Sequence, residues 1–474
     1  MSSSPYRSLG KNTVIFAIGT FGSKAISLFM LPIFTRVLTK ADYGKIDIIT
    51  TSISLLLPLL TLNIIEAVFR FTLDKGSLEE KQAIFTSALT VGATGFLCLL
   101  LFLPIFVHFG VSGQVLVVFL ALFLVDVVSE ISRVIIRAEQ KLKLFAISDM
   151  IRTATFASFG IYFVAFLRMG VTGYFLAQII AALASTIIVF MFGSLLRYIR
   201  VSSFNKAVLL RLARYSLPLV PNTLGWWIIN ASDRFVLTYF LGFEAAGLYA
   251  VAHKFPMLIS VFSGIFGQAW QISSIEQYCE ETTERDLFYS NVFRFFYSVM
   301  FLLLIVLAIF LRLLVNLLVG EAFSSSWRFV PFLLIGSVFA AFSSIYGVGY
   351  LASKKTKGAL TTTLWASAIN MALNVALISR IGIQAASIST ATAFIVMWIL
   401  RVVQTKKYFS IKVDWRNFCF VAGISIVAML IPLLMEEPFV IQIGLLVSVC
   451  IIQREEITKL VNLIVAQFRK KMRR

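Results

Sequence analysis

Hydrophobic runs of about 20 residues recur from one end of this chain to the other, and each is long enough to cross a hydrocarbon core of about 30 Å as a helix. Within lipid every backbone N–H and C=O must find a partner inside its own segment, so such runs form helices. A barrel would read as short alternating strands, and the sequence carries no such pattern. Spans are expected near 13–36, 44–68, 82–107, 114–136, 144–167, 171–196, 214–241, 245–273, 288–311, 328–351, 358–379, 381–401, 416–435 and 438–453. The fold class is therefore an all-α polytopic membrane protein of about fourteen transmembrane helices. Composition agrees: 59% of the 474 residues are hydrophobic and 14% are charged, against roughly 45–50% and about 25% in soluble domains.

The net charge of +19 invites a nucleic-acid reading, but the cations sit in short loops between spans. The N-terminus, the loops after even-numbered spans with their flanking turns, and the C-terminus hold 31 of the 42 Lys and Arg; the opposite loops hold seven. This asymmetry is the positive-inside pattern, and it predicts both termini in the cytoplasm. The last stretch, Arg454 to Arg474, alternates apolar and basic residues and is expected to lie as an amphipathic helix on the membrane surface. Outer loops are short, which leaves no extramembrane domain of folding size, so the work is done between helices.

Several chemistries are disfavoured. The cysteines Cys98, Cys279, Cys419 and Cys450 are scattered with no CxxC spacing, and only His108 and His253 could add imidazole, so a metal centre is not expected. No GxxxxGK[ST] motif occurs, which disfavours an ATP-driven pump. The first run leads directly into the second with no small-residue cleavage site, so no cleavable signal peptide is expected.

Shifting the chain by 203 residues brings the first span pair onto the seventh and eighth. Thr20 falls on Thr223, Gly22 on Gly225, Thr35 on Thr238, Leu38 on Leu241 and Gly44 on Gly247 without a gap. Six spans separate the copies, so both keep one orientation. The pattern predicts two six-helix lobes, residues 1–200 and 201–405, related by a pseudo-twofold along the membrane normal. Residues 406–474 then supply two additional helices and the basic tail. Transporters commonly use such repeats, with the substrate where the lobes meet.

The segments FGSKAISLFMLPIFTRVLTKADYG and NASDRFVLTYFLGFEAAGLYAVAHKFP (Asn230–Pro256) resemble the signature regions of prokaryotic polysaccharide exporters. These are the Wzx-type O-antigen and capsule flippases of the multidrug/oligosaccharidyl-lipid/polysaccharide (MOP) superfamily. Length, span count and lobe symmetry agree along the whole chain. The resemblance implies a MATE/MOP-like fold with a central cavity and a non-enzymatic task. That task is to move an undecaprenyl-diphosphate-linked oligosaccharide across the bacterial inner membrane. It names no particular glycan.

Such a headgroup must carry its anionic diphosphate across the core, where an unpaired charge costs several kcal/mol. A hydrated cavity lined with cations lowers that barrier. The mid-span cations Lys24, Arg234 and Lys254 are the substrate-binding candidates. On span four, Asp126, Glu130, Arg133 and Arg137 recur at i, i+4, i+7 and i+11, and Asp149 and Arg152 open span five. With Asp233 and Glu66 these are the candidates for a salt-bridged gate or an ion-coupling site, the coupling ion being H⁺ or Na⁺; Asp47 is a weaker candidate. Trp226, Trp227 and Trp270 could stack on sugar rings or anchor at the interface, and Pro218 and Pro221 with Gly225 mark span seven for a bend. No other cofactor is expected; the partners are the lipid-linked substrate, membrane lipids and other polysaccharide-assembly proteins. A cation-coupled drug exporter of the same superfamily and a membrane polysaccharide polymerase are the alternatives. The basic mid-span charges disfavour the first and the short outer loops the second.

Overall fold

The computed structural model describes residues 26–73, 77–101, 113–277, 282–352 and 357–454, with Gly22 and Thr458. Lys24, His108, Cys279 and nearly all of the basic tail lie outside the described residues.

The first eight helices are α1 (Ile26–Val37), α2 (Lys40–Leu60), α3 (Ile64–Leu73), α4 (Leu78–Leu101), α5 (Gly113–Ala138), α6 (Leu142–Gly160), α7 (Gly170–Gly193) and α8 (Lys206–Ser216). The remainder are α9 (Val220–Ala252), α10 (Met257–Gln277), α11 (Thr282–Leu318), α12 (Val330–Ala352), α13 (Lys357–Ile381), α14 (Gln384–Thr405), α15 (Trp415–Leu430) and α16 (Phe439–Ile452). Eleven described helical stretches are long and apolar enough to span a membrane. Three shorter apolar helices, Ile26–Val37, Met257–Gly267 and Phe439–Ile452, fall on expected spans one, eight and fourteen. The protein is an all-helical, multi-pass integral membrane protein.

Three expected spans are interrupted. Span two breaks after Pro58: Leu62 and Asn63 both take φ of 53°, and the chain restarts as α3. Left-handed backbone is tolerated by Asn far better than by Leu, and Asn63 Nδ2 secures the break by donating to Thr223 Oγ1 at 3.2 Å. The end of span five winds as a π-helical turn over Ile161–Phe166. Span eight stops at Ala252 and restarts at Met257, where Pro256 has no N–H to continue the ladder. The bend expected at Pro218 is a 3₁₀ turn, Leu217–Leu219, between α8 and α9.

The described chain forms two compact units. One takes the residues up to Trp227 with Leu237–Ala250 and Leu318–Phe323; the other takes Ile228–Val236, Val251–Leu317 and the residues from Ser324 onward. In the first unit Phe34, Phe156 and Tyr174 meet edge to face, with ring centroids 5.1–5.8 Å apart. In the second, Phe293, Tyr297, Phe301, Phe342 and Trp398 gather around Phe418 of α15 at 5.1–6.4 Å. Such pairs contribute about 0.5–1.5 kcal/mol beyond area burial, and they fasten α15, the first of the additional C-terminal helices, to that unit's core.

The internal repeat has a physical counterpart inside the first unit. A Cβ on Gly44 would lie 2.0 Å from the Phe243 carbonyl oxygen, and one on Gly247 would lie 1.9 Å from that of Lys40. Lys40 and Phe243 are themselves related by the 203-residue shift, so the contact is reciprocal across a local twofold. Two helices cross here backbone to backbone, an approach only glycine permits. One step earlier a helix boundary recurs at equivalent positions, with different residues. Thr39 caps α2 with extended backbone, and its counterpart Gly242 breaks α9 with φ of 81°.

Candidate functional site

Span four's charged stripe faces α6. Arg152 reaches Asp126 at 2.7 Å and Glu130 at 3.2 Å. Arg133 pairs with Asp149 and stands 3.9 Å from Glu130, with its guanidinium also over the Phe145 ring at 5.2 Å. Two guanidiniums thus serve three carboxylates, and all five groups belong to the first unit. Asp126 and Arg133 are buried, where an uncompensated charge would cost several kcal/mol, so the pairing is what makes the stripe tolerable. Its fourth member, Arg137, lies over the Phe69 ring of α3 at 4.1 Å. Glu66 is exposed in the first turn of α3, away from this network.

The second unit holds the most buried charge. Asp233 is fully buried on α9. Its Oδ1 accepts from Asn374 Nδ2 at 2.9 Å and its Oδ2 from the Thr390 hydroxyl at 2.5 Å. Asn370 completes the ring when its amide nitrogen faces the carboxylate, 3.2 Å from Oδ1, with its oxygen accepting from the Thr390 amide at 3.3 Å. Asn370 and Asn374 stand one turn apart on α13, so they share a face, and both are fully buried. Among the described residues no donor reaches Asn374 Oδ1, although that oxygen is buried. One carboxylate, two carboxamides and a hydroxyl therefore converge from α9, α13 and α14. As drawn, the carboxamides and the hydroxyl donate to the carboxylate; turned to present their oxygens they form a hard set that suits a small cation, and the carboxylate alone could take a proton.

Arg234 is buried beside Asp233, and its Nη1 donates to the Asn230 carbonyl oxygen one turn back. Lys254, expected part-way into a continuous span, is exposed in the turn between α9 and α10, next to His253. The structure thus brings together Asp126, Glu130, Arg133, Asp149 and Arg152, and leaves Arg137 and Glu66 apart from them. Trp270 is buried, donating to the Ile345 carbonyl oxygen at 3.0 Å and packed on Tyr289, so it is a core residue. Trp227 donates to the Thr51 carbonyl oxygen and the Ser54 hydroxyl at 3.2 and 3.1 Å. Sequence reasoning passed over Thr390. A lone threonine in an apolar helix carries no signal until its partner is known.

Comparison with known proteins agrees with this architecture. A structure of the lipid II flippase MurJ in an inward closed conformation superposes with a TM-score of 0.72 at 15% identity, covering 94% of this chain and 100% of that one. An inward-facing multidrug resistance MATE family transporter of the MOP superfamily gives 0.65 at 14%, covering 82% and 94%. A MOP superfamily transporter from Pyrococcus furiosus, described as having a binding pocket of reverse polarity, gives 0.61 at 14%, covering 85% and 96%. At such identities the likeness establishes the fold. In sequence, the uncharacterized membrane protein MJ1068 of Methanocaldococcus jannaschii is 28% identical over 203 residues, 42% of this chain and 40% of that protein. Residues 9–271, more than half of the chain, match the polysaccharide biosynthesis protein family, and the chain belongs to that family.

Proposed function

We propose that this protein flips a lipid-linked oligosaccharide, the undecaprenyl-diphosphate-bound precursor of a cell-envelope polysaccharide, from the cytoplasmic to the outer leaflet of a bacterial inner membrane. The family match over residues 9–271 carries the reading, and a fold shared with a lipid II flippase supports it. The lipid tail stays in the bilayer while the headgroup crosses by alternating access. Lys24, Arg234 and Lys254 are the cations assigned to the diphosphate, because Arg grips phosphate bidentately and Lys meets it as a point charge. The α5–α6 network keeps those two helices moving as one body. The Asp233 cluster is the coupling site for Na⁺ or H⁺, and each charge crossing 100 mV contributes about 2.3 kcal/mol to the cycle. The oligosaccharide is handed to polysaccharide-assembly proteins on the far side.

The experiment is reconstitution of the purified protein in liposomes with a labelled undecaprenyl-diphosphate oligosaccharide, following its accessibility on each leaflet. Wild type is expected to translocate it; Lys24→Ala and Arg234→Ala are expected to slow this by about tenfold or more, as for loss of a charge-assisted contact. Translocation untouched by either change would remove the cation assignment and keep the function. The similarity to a multidrug MATE transporter supplies the competing reading. Transport of cationic dyes without translocation of any lipid-linked sugar would establish it instead.

A further inference from the structure

Outside the site just described, one end of the first unit carries a cavity of about 420 Å³ where α3, α4, α5 and the chain after α7 converge. Its floor is Glu139, whose side chain is 7% exposed. Three cations crown that one carboxylate. Lys81 Nζ lies 3.1 Å from it, Lys141 Nζ 2.8 Å and Arg197 Nη2 3.8 Å. Their side chains are 25%, 34% and 50% exposed, so the heads face outward while the acid stays below. The Tyr198 hydroxyl donates to Glu139 and accepts from Arg197 Nη2 at 2.9 Å, closing the ring. Lys141 is further fixed by the Gly193 carbonyl oxygen at 2.8 Å.

One buried anion cannot neutralise three cations, and the cluster keeps a charge of +2. Glu80, on the turn of α4 before Lys81, is already paired with Arg211 at 2.6 Å. Burial raises Glu139, but hydrogen bonds from Lys141, Tyr198 and Lys81 outweigh it and hold the carboxyl at about 2. The acid therefore remains ionised and keeps the cations in place across all physiological conditions.

The surroundings are those of a membrane surface. Leu196, Ile199, Phe204 and Leu210 are about half exposed or more. Phe204 stands just before the Asn205 N-cap of α8, a short helix with Lys206, Arg211 and Arg214 beside its apolar residues. Apolar side chains interleaved with cations place this end of the unit at headgroup depth.

We propose that Lys81, Lys141 and Arg197, organised by Glu139, form a binding site for the phosphate group of an anionic membrane lipid, separate from the substrate pathway. A phosphomonoester headgroup fits best, since a compact dianion matches the residual charge of +2 and accepts from a guanidinium and two ammoniums at once. The site goes beyond the flipping reaction: it would bind a resident lipid and make the activity depend on leaflet composition.

Native mass spectrometry of the purified full-length protein, loaded with phosphatidic acid or phosphatidylcholine, tests this. Wild type is expected to retain phosphatidic acid in strong preference. Each cation removed should weaken retention by about five-fold, following the energy of one basic residue near an anionic surface. The double variant Lys81→Gln, Arg197→Gln should thus lose nearly all of it. Should that variant fail to fold, Arg197→Gln alone suffices, because Arg197 is half exposed and leaves Glu139 two ammonium partners. Retention unchanged by the substitutions, or equal retention of phosphatidylcholine, would overturn the proposal. Inorganic phosphate provides the last arm. Displacement of bound lipid by millimolar phosphate would confirm recognition of the phosphate group. Tight binding of phosphate by a protein that ignores the lipid would assign the site to a soluble ligand and refute the headgroup.

Discussion

Asp233 shows how much a single side chain can be asked to do inside a membrane. Its carboxylate is tolerated because Asn374 and Thr390 donate to it, and they in turn depend on it as acceptor. Asp233→Ala would strand those buried donors, and thermal or denaturant unfolding in detergent should show a loss on the order of 1–3 kcal/mol. Asp233→Asn preserves the shape but removes the charge. Wild type should unfold at higher temperature in NaCl than in choline chloride if Na⁺ is the coupling ion, and the Asn variant should show no difference between the two salts. Equal behaviour of wild type in both salts would leave H⁺ as the coupling ion. Glu139 makes a prediction about acid. Its carboxyl sits at about 2, below its ordinary 4.5. The associated stability is complete above about pH 4.5 and is lost as pH falls towards 2. Unfolding followed between those limits should be less acid-sensitive in Glu139→Gln than in wild type. Of these residues, Asp233 was legible in the sequence as an ionisable group within an apolar run, which is functional by default. Asn370 and Asn374 share a face through their one-turn spacing, but nothing in the sequence tied that face to Asp233. Thr390 was not legible, since which face of α14 meets α9 is decided by packing that leaves no local trace.

Helices in this protein are specified by hydrophobic length and shaped by a few backbone exceptions. Length was easy to read, and each expected span has a helix on it. The exceptions were harder. Pro58 lies inside α2, yet the break falls several residues later at Leu62 and Asn63, because the helix absorbs the proline and ends where Asn63 finds Thr223. Asn63→Ala should cost about 1–2 kcal/mol, from the left-handed backbone and the lost hydrogen bond together. Asn63→Gly should cost less, because glycine accepts that backbone without penalty. Comparing the two in thermal unfolding separates backbone from side chain. The Gly44–Gly247 crossing is the opposite case, where the sequence signal was present as a repeat match but its meaning was not. Only the 2.0 and 1.9 Å approaches to carbonyl oxygens show that both positions must lack a side chain. Gly44→Ala or Gly247→Ala should destabilise by about 1–3 kcal/mol, as overpacking does. The reciprocal geometry predicts that the two changes have similar effects, and that the double variant costs less than their sum, since either alone already forces the helices apart.

At the scale of the whole chain, orientation follows from charge rather than from packing. The loops after even-numbered spans carry the cations, and the phosphate-binding cluster at Lys81, Lys141 and Arg197 lies among them. The opposite end of the same unit carries a smaller set, Arg36 and Arg168, around a cavity of about 410 Å³ that also includes Asp42. Lys and Arg in short loops resist translocation during insertion, so the crowded side should remain cytoplasmic. The two ends can be distinguished with one thiol each. In a background where Cys98, Cys279, Cys419 and Cys450 are replaced, Gln140→Cys and Arg168→Cys place single reactive groups in positions that are exposed at opposite ends of the first unit. A membrane-impermeant maleimide added to intact spheroplasts should label the Arg168→Cys protein and spare the Gln140→Cys protein until the membrane is opened. That outcome would place the phosphate-binding cluster at the cytoplasmic leaflet, where anionic lipids and newly made lipid-linked sugars are both encountered. The reverse pattern would put the cluster on the outer face, and export from the cytoplasm would then have to begin at the end marked by Arg36 and Arg168.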